Sequence, residues 1–405
     1  MRTSSPPFSS FVLGAVLWAL AACGESAAPI TPKFLAVTGG NLQSGCFADS
    51  LHDSLEVTLT GSDTKPFPGA AVAWQVTSGQ ATIRPVVDTT DATGRSRTQL
   101  SLGFVTTPTP IAVAATVGGL PPGVFAVTPA IAAYTLGQTT SSSLASTDCA
   151  FGDGSFIDYL TLGLASAQSF TLSLTSGAFD AVVWLLDAAT PGVAVNDDSA
   201  GASGVVRNSF VKVIAAAGDY VVGANSYDPG ALGAYTLTTT VTPVQADSCL
   251  YDVFVTRGIT TTQAVASTDC VDASGPYYAD LYQVVLRSGQ SLTVTERSTA
   301  FDAELFLFDP NGNYVASDNN SGGGSGGTDA RLTYQTTTGG DYYIAAATAA
   351  VGATGAYMLT IDPPAVSATV AQPSLAVLPA RSPHVGTAPM SRQAPLRWWH
   401  PRAAP

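Results

Sequence analysis

The residues best suited to bind a metal ion stand in two short loops rich in side-chain oxygens. Carboxylate and amide oxygens are the ligands that calcium takes in proteins. Neither loop has the EF-hand spacing, and solvated turns account for the same residue types. Calcium binding is therefore a hypothesis, with weaker affinity in the second loop, which has one carboxylate fewer. The loop residues are Asn196, Asp197, Asp198 and Ser199 in the first loop and Asp318, Asn319, Asn320 and Ser321 in the second.

Side chains for acid, base or nucleophilic catalysis are scarce. The chain has three His, and two of them, His384 and His400, lie in its last part, so a Ser-His-Asp device would depend on His52. Asp residues recur at matched places (Asp180 and Asp302, Asp187 and Asp309) and could serve a glycosidase as a pair. Asp also caps turns at strand ends, and a duplication copies it. We expect no enzyme activity.

Composition indicates that strands position these residues. The 405 residues include 39 Gly and 26 Pro, and only 11% are charged. Glu and Lys, which helical bundles and coiled coils need at regular spacing, are nearly absent. The net charge of −13 disfavours binding to nucleic acid phosphates.

Short alternating strands separated by turns fill residues 34–129. Leu55–Thr60 alternates apolar and polar residues, and Ala71–Val76 and Ile111–Val117 are apolar runs of strand length. This spacing favours a β-sandwich, with Trp74 in its core.

The rest of the chain contains an internal repeat. Ala178-Phe-Asp-Ala181 recurs as Ala300-Phe-Asp-Ala303, and Gly233-Ala-Tyr-Thr-Leu237 recurs as Gly355-Ala-Tyr-Met-Leu359, each 122 residues later. We name 130–241 the first repeat and 242–362 the second repeat. A period this long is not that of a solenoid, so it predicts two separate sandwich domains of jelly-roll type.

Both regions resemble known bacterial domains. The run from Pro68 to Gly79, with Thr90-Asp-Ala-Thr-Gly-Arg95, resembles the bacterial Ig-like domain (group 1) of invasin and intimin, so we name 34–129 the Ig-like domain. Asp158-Tyr159, Asp280-Leu-Tyr282 and the Gly-x-Tyr strands make each repeat similar to the bacterial pre-peptidase C-terminal domain. The first resemblance implies a structural or adhesive module. The second implies a domain found beside peptidases, in some cases binding matrix polymers or calcium.

The N-terminus has the features of a bacterial lipoprotein. Residues 1–22 read as a signal peptide with an apolar run from Phe8 to Ala22, too short for a comfortable membrane span, and 23–33 as a linker. Leu20-Ala21-Ala22-Cys23 resembles the lipobox, in which Cys23 carries the lipid; cleavage of an ordinary signal peptide at Ala19-Leu20-Ala21 is the alternative. Lipidation predicts an exported protein of the cell envelope, at the outer membrane or cell surface, with the membrane as a partner through its lipid.

Export permits disulfides among the four other cysteines. Cys249 and Cys270 lie near one another in the second repeat, so we predict that they pair. Cys149 is then left with Cys46 or with no partner, because sequence alone does not fix connectivity.

The combined prediction is an all-β, non-catalytic adhesion or binding lipoprotein with an Ig-like β-sandwich and two jelly-roll-type β-sandwiches. It would bind a polysaccharide or protein ligand at the cell surface and no nucleic acid. A calcium-dependent accessory to a separate hydrolase and a purely structural spacer are the alternatives. An exposed row of aromatic residues would favour binding. The candidates are Tyr277, Tyr278, Tyr282, Tyr342 and Tyr343.

Residues 363–405, which are Pro- and Ala-rich and have four Arg but no acidic residue, are expected to form a disordered tail.

Overall fold

The described part of the protein is built from β-strands, as predicted. No helix occurs in it, and therefore no helix long and apolar enough to cross a bilayer. The predicted signal peptide (1–22), Cys23 and the predicted tail (363–405) lie outside the described residues. The computed structural model describes residues 29–47, 49–151, 153–187, 193–196, 208–247, 249–272, 275–324 and 326–362.

The Ig-like domain is a sandwich of two sheets, with strand orders β1-β3-β7-β5 and β2-β9-β8-β4-β6. Alternating residues point inward, because successive side chains of a strand lie on opposite faces. Trp74 is buried between the sheets and donates a hydrogen bond from its indole nitrogen to Ser96 Oγ at 3.2 Å. The strands are β1 (Pro32–Gly39), β2 (Ser44–Gly45), β3 (Leu55–Gly61), β4 (Ala71–Ser78), β5 (Ala81–Arg84), β6 (Val87–Thr89), β7 (Arg95–Leu102), β8 (Ile111–Thr116) and β9 (Gly123–Pro129).

The first repeat also folds into two sheets. One has the order β10-β13-β18-β15-β16, with β12 beside β13, and the other has the order β11-β19-β14-β17. The strands are β10 (Ala132–Tyr134), β11 (Thr139–Leu144), β12 (Cys149–Ala150), β13 (Phe156–Leu164), β14 (Gln168–Ser176), β15 (Ala181–Asp187), β16 (Ala194–Asn196), β17 (Ser209–Ala215), β18 (Gly218–Ser226) and β19 (Gly233–Val241).

The second repeat has the same strands in the same arrangement, so each residue has an equivalent 121 or 122 positions earlier. Its sheets have the orders β20-β23-β28-β25-β26 and β21-β29-β24-β27. The strands are β20 (Val253–Val255), β21 (Ile259–Val265), β22 (Cys270–Val271), β23 (Tyr278–Leu286), β24 (Ser291–Ser298), β25 (Ala303–Phe308), β26 (Tyr314–Asp318), β27 (Ala330–Gln335), β28 (Gly340–Thr348) and β29 (Gly355–Ile361).

The two repeats share one continuous sheet, which differs from the expected pair of separate domains. Strand β20 lies between β17 of the first repeat and β23 of the second and runs parallel to both. A sheet of ten strands therefore crosses the boundary between the repeats. The sequence repeat did not reveal this joint, because β17 carries an unpaired edge that is filled only in the folded chain.

Candidate functional site

An aspartate and a tyrosine meet at the same place in both repeats. The Tyr235 hydroxyl donates a hydrogen bond to Asp158 Oδ2 at 2.7 Å, and the Tyr357 hydroxyl donates one to Asp280 Oδ2 at 2.5 Å. In each pair the aspartate lies on one sheet and the tyrosine on the facing sheet. The hydrogen bond therefore links the two layers of the sandwich. The sequence motifs contain all four residues, but not the contact, which joins residues 77 positions apart.

Burial changes the charge state of these aspartates. It raises the pKa of Asp158 to about 6 and that of Asp280 to about 8, against the opposing effect of the tyrosine hydrogen bonds. The neighbouring carboxylates Asp148 and Asp269 add to the increase in each pKa, because like charges disfavour ionisation. Asp280 therefore stays protonated to a higher pH than Asp158.

The second repeat has an extended polar cluster around this pair. The Tyr282 and Tyr357 hydroxyls lie 2.6 Å apart, and Glu296 is fully buried nearby. Neither Glu296 carboxylate oxygen has a hydrogen-bond partner in the described chain. Burial, together with the Asp280 charge, raises the pKa of Glu296 well above its ordinary value.

Sequence reasoning missed Glu296, although a signal was present. Leu292, Val294 and Glu296 alternate along β24, so period two places the glutamate on the inward face. Its equivalent in the first repeat is Leu174, and the equivalent of Tyr282 is Leu160. The polar cluster is thus confined to the second repeat, and its residues point between the two sheets rather than into a substrate cleft.

In each of the two loops considered for calcium, the first side chain accepts a hydrogen bond from the backbone of a later strand. Asn196 Oδ1 accepts a hydrogen bond from the Phe210 amide at 3.0 Å, and its equivalent Asp318 accepts one from the Arg331 amide at 2.7 Å. Asp197, Asp198 and Ser199 lie outside the described residues.

Ser321 donates hydrogen bonds to both carboxylate oxygens of Asp318. Its amide donates to Oδ1 at 3.1 Å and its hydroxyl donates to Oδ2 at 2.5 Å. The following residues Asn319 and Asn320 form a bend after β26. Across the described residues, no group of three or more His, Cys, Asp or Glu side chains is arranged to hold a metal ion. The contacts of Asp318 link the bend after β26 to β27, and calcium binding at this loop stays a prediction.

Three of the matched aspartates, Asp180, Asp302 and Asp309, make hydrogen bonds at turns or strand ends. Asp309 Oδ1 accepts hydrogen bonds from the Asn311 and Asn313 amides, both at 2.9 Å. The backbone carbonyls of Asp180 and Asp302 accept hydrogen bonds from Tyr227 and Ala349. The Asp309 side chain thus caps a turn, as Asp often does.

The candidate aromatic row does not form a surface. Tyr277, Tyr282, Tyr342 and Tyr343 are buried, and Tyr278 is half-buried. None of the five is exposed, so this row does not supply the aromatic surface that would favour binding. Both faces of β23 and β28 are covered, so alternation along these strands does not expose a tyrosine.

Two disulfides hold the domains. Cys249 and Cys270 are joined, as predicted, with Cα atoms 4.5 Å apart. Cys46 is joined to Cys149, with Cα atoms 5.6 Å apart, which decides between the two alternatives left open by the sequence. This second bond connects the Ig-like domain to the first repeat.

Comparison with known proteins supports the family resemblance in one repeat. Residues 278–348 match the bacterial pre-peptidase C-terminal domain. The assignment of the first repeat to that family remains a prediction. A search of curated proteins found no match.

Solved structures resemble parts of the chain. The pre-peptidase C-terminal domain of collagenase from Bacillus anthracis is 23% identical, with a TM-score of 0.20, over 27% of this chain and 93% of that one. The D00-D0 domain of intimin is 14% identical, with a TM-score of 0.19, over 26% of this chain and 50% of that one. The D0-D1 domain of intimin is 16% identical, with a TM-score of 0.20, over 55% of this chain and 94% of that one. The family match to the bacterial pre-peptidase C-terminal domain thus covers residues 278–348 of this all-β chain.

Proposed function

We propose that this protein is an exported lipoprotein of the cell envelope, in which three β-domains form a stiff, non-catalytic stalk for adhesion or polymer binding. The observation that carries the proposal is that both junctions between domains are locked by packing. A binding or structural role also agrees with the presence of a pre-peptidase C-terminal domain and Ig-like β-domains. Lipidation at Cys23 would supply the anchor.

The first junction combines a disulfide with aromatic packing. Beside the Cys46–Cys149 bond, the rings of Phe47 and Tyr159 lie with centroids 3.9 Å apart. Residues of the Ig-like domain and of the first repeat belong to one buried hydrophobic cluster. A shared apolar core resists relative motion, because separating the domains would expose it to water.

The second junction is made by strand β20. The Thr256 amide donates a hydrogen bond to the Ile214 carbonyl at 3.0 Å, and Ile214 is buried in the core of the second repeat. Phe254 of β20 is buried in the core of the first repeat. Each repeat thus buries one side chain in the core of the other repeat. Lys212 adds ion pairs to Asp247 at 3.4 Å and Asp252 at 3.1 Å.

Nothing in the described residues resembles a catalytic device. His52 is 96% exposed at its side chain and contacts Asp53, the next residue in the chain. The buried acids of the second repeat face its core. These observations support a role without catalysis.

The stiffness of the stalk is tested by distances between spin labels. We would place labels at Val86 in the Ig-like domain and Val351 in the second repeat, both of which are 60% exposed. A narrow distribution of distances is expected in the full chain. It should broaden when Cys46→Ser and Cys149→Ser remove the first disulfide. A broad distribution in the unaltered chain would overturn the stiff stalk.

The anchor and the binding role need separate measurements. Cys23→Ser should release the protein into the medium, and retention on the membrane would exclude lipid anchoring. Binding is tested by co-sedimentation of the full chain with chitin, cellulose, peptidoglycan and collagen, with calcium or with EDTA. Binding to any of them supports the adhesive role, and loss of that binding in EDTA would favour the calcium-dependent accessory. No binding in either buffer would favour the spacer.

A further inference from the structure

A groove in the first repeat is open, whereas its equivalent in the second repeat is filled by the chain itself. The open groove, which we call the β10 groove, has a volume of about 650 Å³. It is bordered by the edge of β10, by β11 and by the Asp158–Tyr235 pair. Its walls include Ala132, Ser142, Leu160 and Tyr235.

In the second repeat the segment that follows the first repeat fills this place. Val244 and Ala246 are 4% and 1% exposed, and they belong to the same buried cluster as Val253 and Tyr282. The Gln263 side-chain amide donates a hydrogen bond to the Val244 carbonyl at 3.2 Å. Val253, Gln263 and Tyr282 are the equivalents of Ala132, Ser142 and Leu160. Among the residues that the structure describes, the same wall positions therefore hold an extended segment in the second repeat and none in the first.

The length of the connection explains the difference. Strand β19 ends at Val241 and β20 begins at Val253, which leaves a long segment to cover the groove of the second repeat. Strand β9 ends at Pro129 and β10 begins at Ala132, so only two residues connect the Ig-like domain to the first repeat. The β10 groove consequently has no covering segment from its own connection.

The sequence after the second repeat has the pattern of the segment that fills a groove. By the 122-residue offset of the repeat, Val366 is equivalent to Val244 and Ala368 is equivalent to Ala246. Ala-Val-Ser-Ala-Thr at 365–369 thus matches Pro-Val-Gln-Ala-Asp at 243–247. Both have a small or proline residue, then valine and alanine at alternate positions, as an extended segment with one buried face requires.

We propose that the β10 groove binds residues 364–369 of a second copy of this chain, so that the protein associates head to tail. Within one chain the segment after a repeat enters the groove of the repeat that follows it. Val366 lies five residues after the end of β29, within about 18 Å of it at full extension. In the proposed contact, the groove that it enters belongs to another molecule. A contact of this type does not close on itself and generates linear chains of molecules.

The experiment measures peptide binding and self-association together. The receptor is the full chain carrying Val366→Asp and Ala368→Asp, which should disable its own tail. A fluorescein-labelled peptide of residues 363–370 is titrated into it, and fluorescence anisotropy reports binding. A peptide with the same two Asp substitutions is the control ligand. Sedimentation velocity compares the unaltered chain with the receptor over a range of concentrations.

Two tryptophan substitutions on β11 locate the site. Ser142→Trp places a bulky ring in the groove, whereas Thr139→Trp places one on the same strand outside it. We expect Ser142→Trp to weaken peptide binding at least about tenfold and Thr139→Trp to change it no more than about twofold. Matching thermal unfolding of the two variants confirms that both are folded.

Each outcome decides the proposal. Peptide binding that Ser142→Trp weakens, with concentration-dependent oligomers in the unaltered chain and none in the receptor, supports it. Absence of peptide binding, or binding that Ser142→Trp leaves unchanged, would overturn the proposed site. An unaltered chain that stays monomeric would show that copies do not associate in this way. Lipid anchoring plays no part in any of these measurements.

Discussion

Cys46 of the Ig-like domain is bonded to Cys149 of the first repeat at the position where Cys249 and Cys270 are bonded in the second repeat. Cys149 and Cys270 are equivalent in the repeat, but their partners come from different places. The second repeat takes its partner from the segment that leads into it, and the first repeat takes it from a loop of the preceding domain. One disulfide position thus closes a local loop in one repeat and joins two domains in the other.

The two disulfides should differ in their contribution to stability. They are separated by 103 and 21 residues in the sequence, and the chain-entropy model assigns about 4.7 and 3.4 kcal/mol to loops of about these sizes. We expect the Cys46→Ser, Cys149→Ser variant to lose more stability than the Cys249→Ser, Cys270→Ser variant, as measured by urea unfolding. Equal losses, or the reverse order, would show that loop closure does not dominate.

Glu296 should destabilise the second repeat at neutral pH. Because burial raises the pKa of this carboxyl, the stability that its protonated form provides is complete below its ordinary pKa of 4.5 and decreases as the pH rises above that value. Glu296→Leu, which copies Leu174, should therefore stabilise the protein at neutral pH by about 1 to 3 kcal/mol, the cost of an unpartnered buried polar group. Thermal unfolding at acidic pH is the control, since the gain should shrink there.

Asp280 should give the second repeat a pH dependence at higher pH than Asp158 gives the first. The stability linked to Asp280 is complete below its ordinary pKa of 3.8 and decreases as the pH rises to about 8, whereas that linked to Asp158 decreases up to about 6. Asp280→Asn keeps an acceptor for the Tyr357 hydroxyl but does not titrate. The protection of the β23 amides from hydrogen exchange should decrease as the pH rises. Asp280→Asn, introduced together with Glu296→Leu, should remove this decrease. Asp158→Asn is the matched control and should leave β23 unaffected.

Asp318 should stabilise the second repeat without calcium. Asp318→Ala removes acceptors for the Arg331 and Ser321 amides, and two hydrogen bonds of this kind contribute about 1 to 3 kcal/mol. Asn319→Ala, beside it, should change stability by no more than about 0.5 kcal/mol. Differential scanning calorimetry measures both, with calcium and with EDTA. A rise in the unfolding temperature with calcium that depends on Asp318 would support the calcium hypothesis for this loop.

The stability of the joint between the repeats, where β17 meets β20, should depend on Ile214. Its equivalent in the second repeat is Gln335, which is exposed on β27, a strand that pairs only with β24 in the described residues. Ile214→Gln places that polar residue in the buried joint and should cost about 2 to 4 kcal/mol through lost packing and burial of an amide. Limited proteolysis should then cut the segment 242–252 faster. The mirrored change, Gln335→Ile, serves as control and should leave that cleavage rate unchanged.

The sequence determined the fold class and the repeat, because both depend on local patterns. Alternation with period two marked strands such as Leu55–Gly61, and the 122-residue offset marked the duplication; the all-β architecture confirmed the first. The resemblance to the pre-peptidase C-terminal domain came from short motifs and was confirmed in the second repeat. Lipidation at Cys23 and the calcium loop at Asp197 and Asp198 remain predictions.

The tertiary structure decided which distant residues meet. Asp158 and Tyr235 are both visible as motif residues, but their contact follows from the facing of two sheets, and the partner of Cys149 follows from the packing of the Ig-like domain. Strand β20 enters the sheet of the preceding repeat because β17 has a free edge there, which a linear pattern does not encode. The β10 groove could not be predicted from the sequence either. Whether a groove is open or filled depends on where a connecting segment lies in the folded chain.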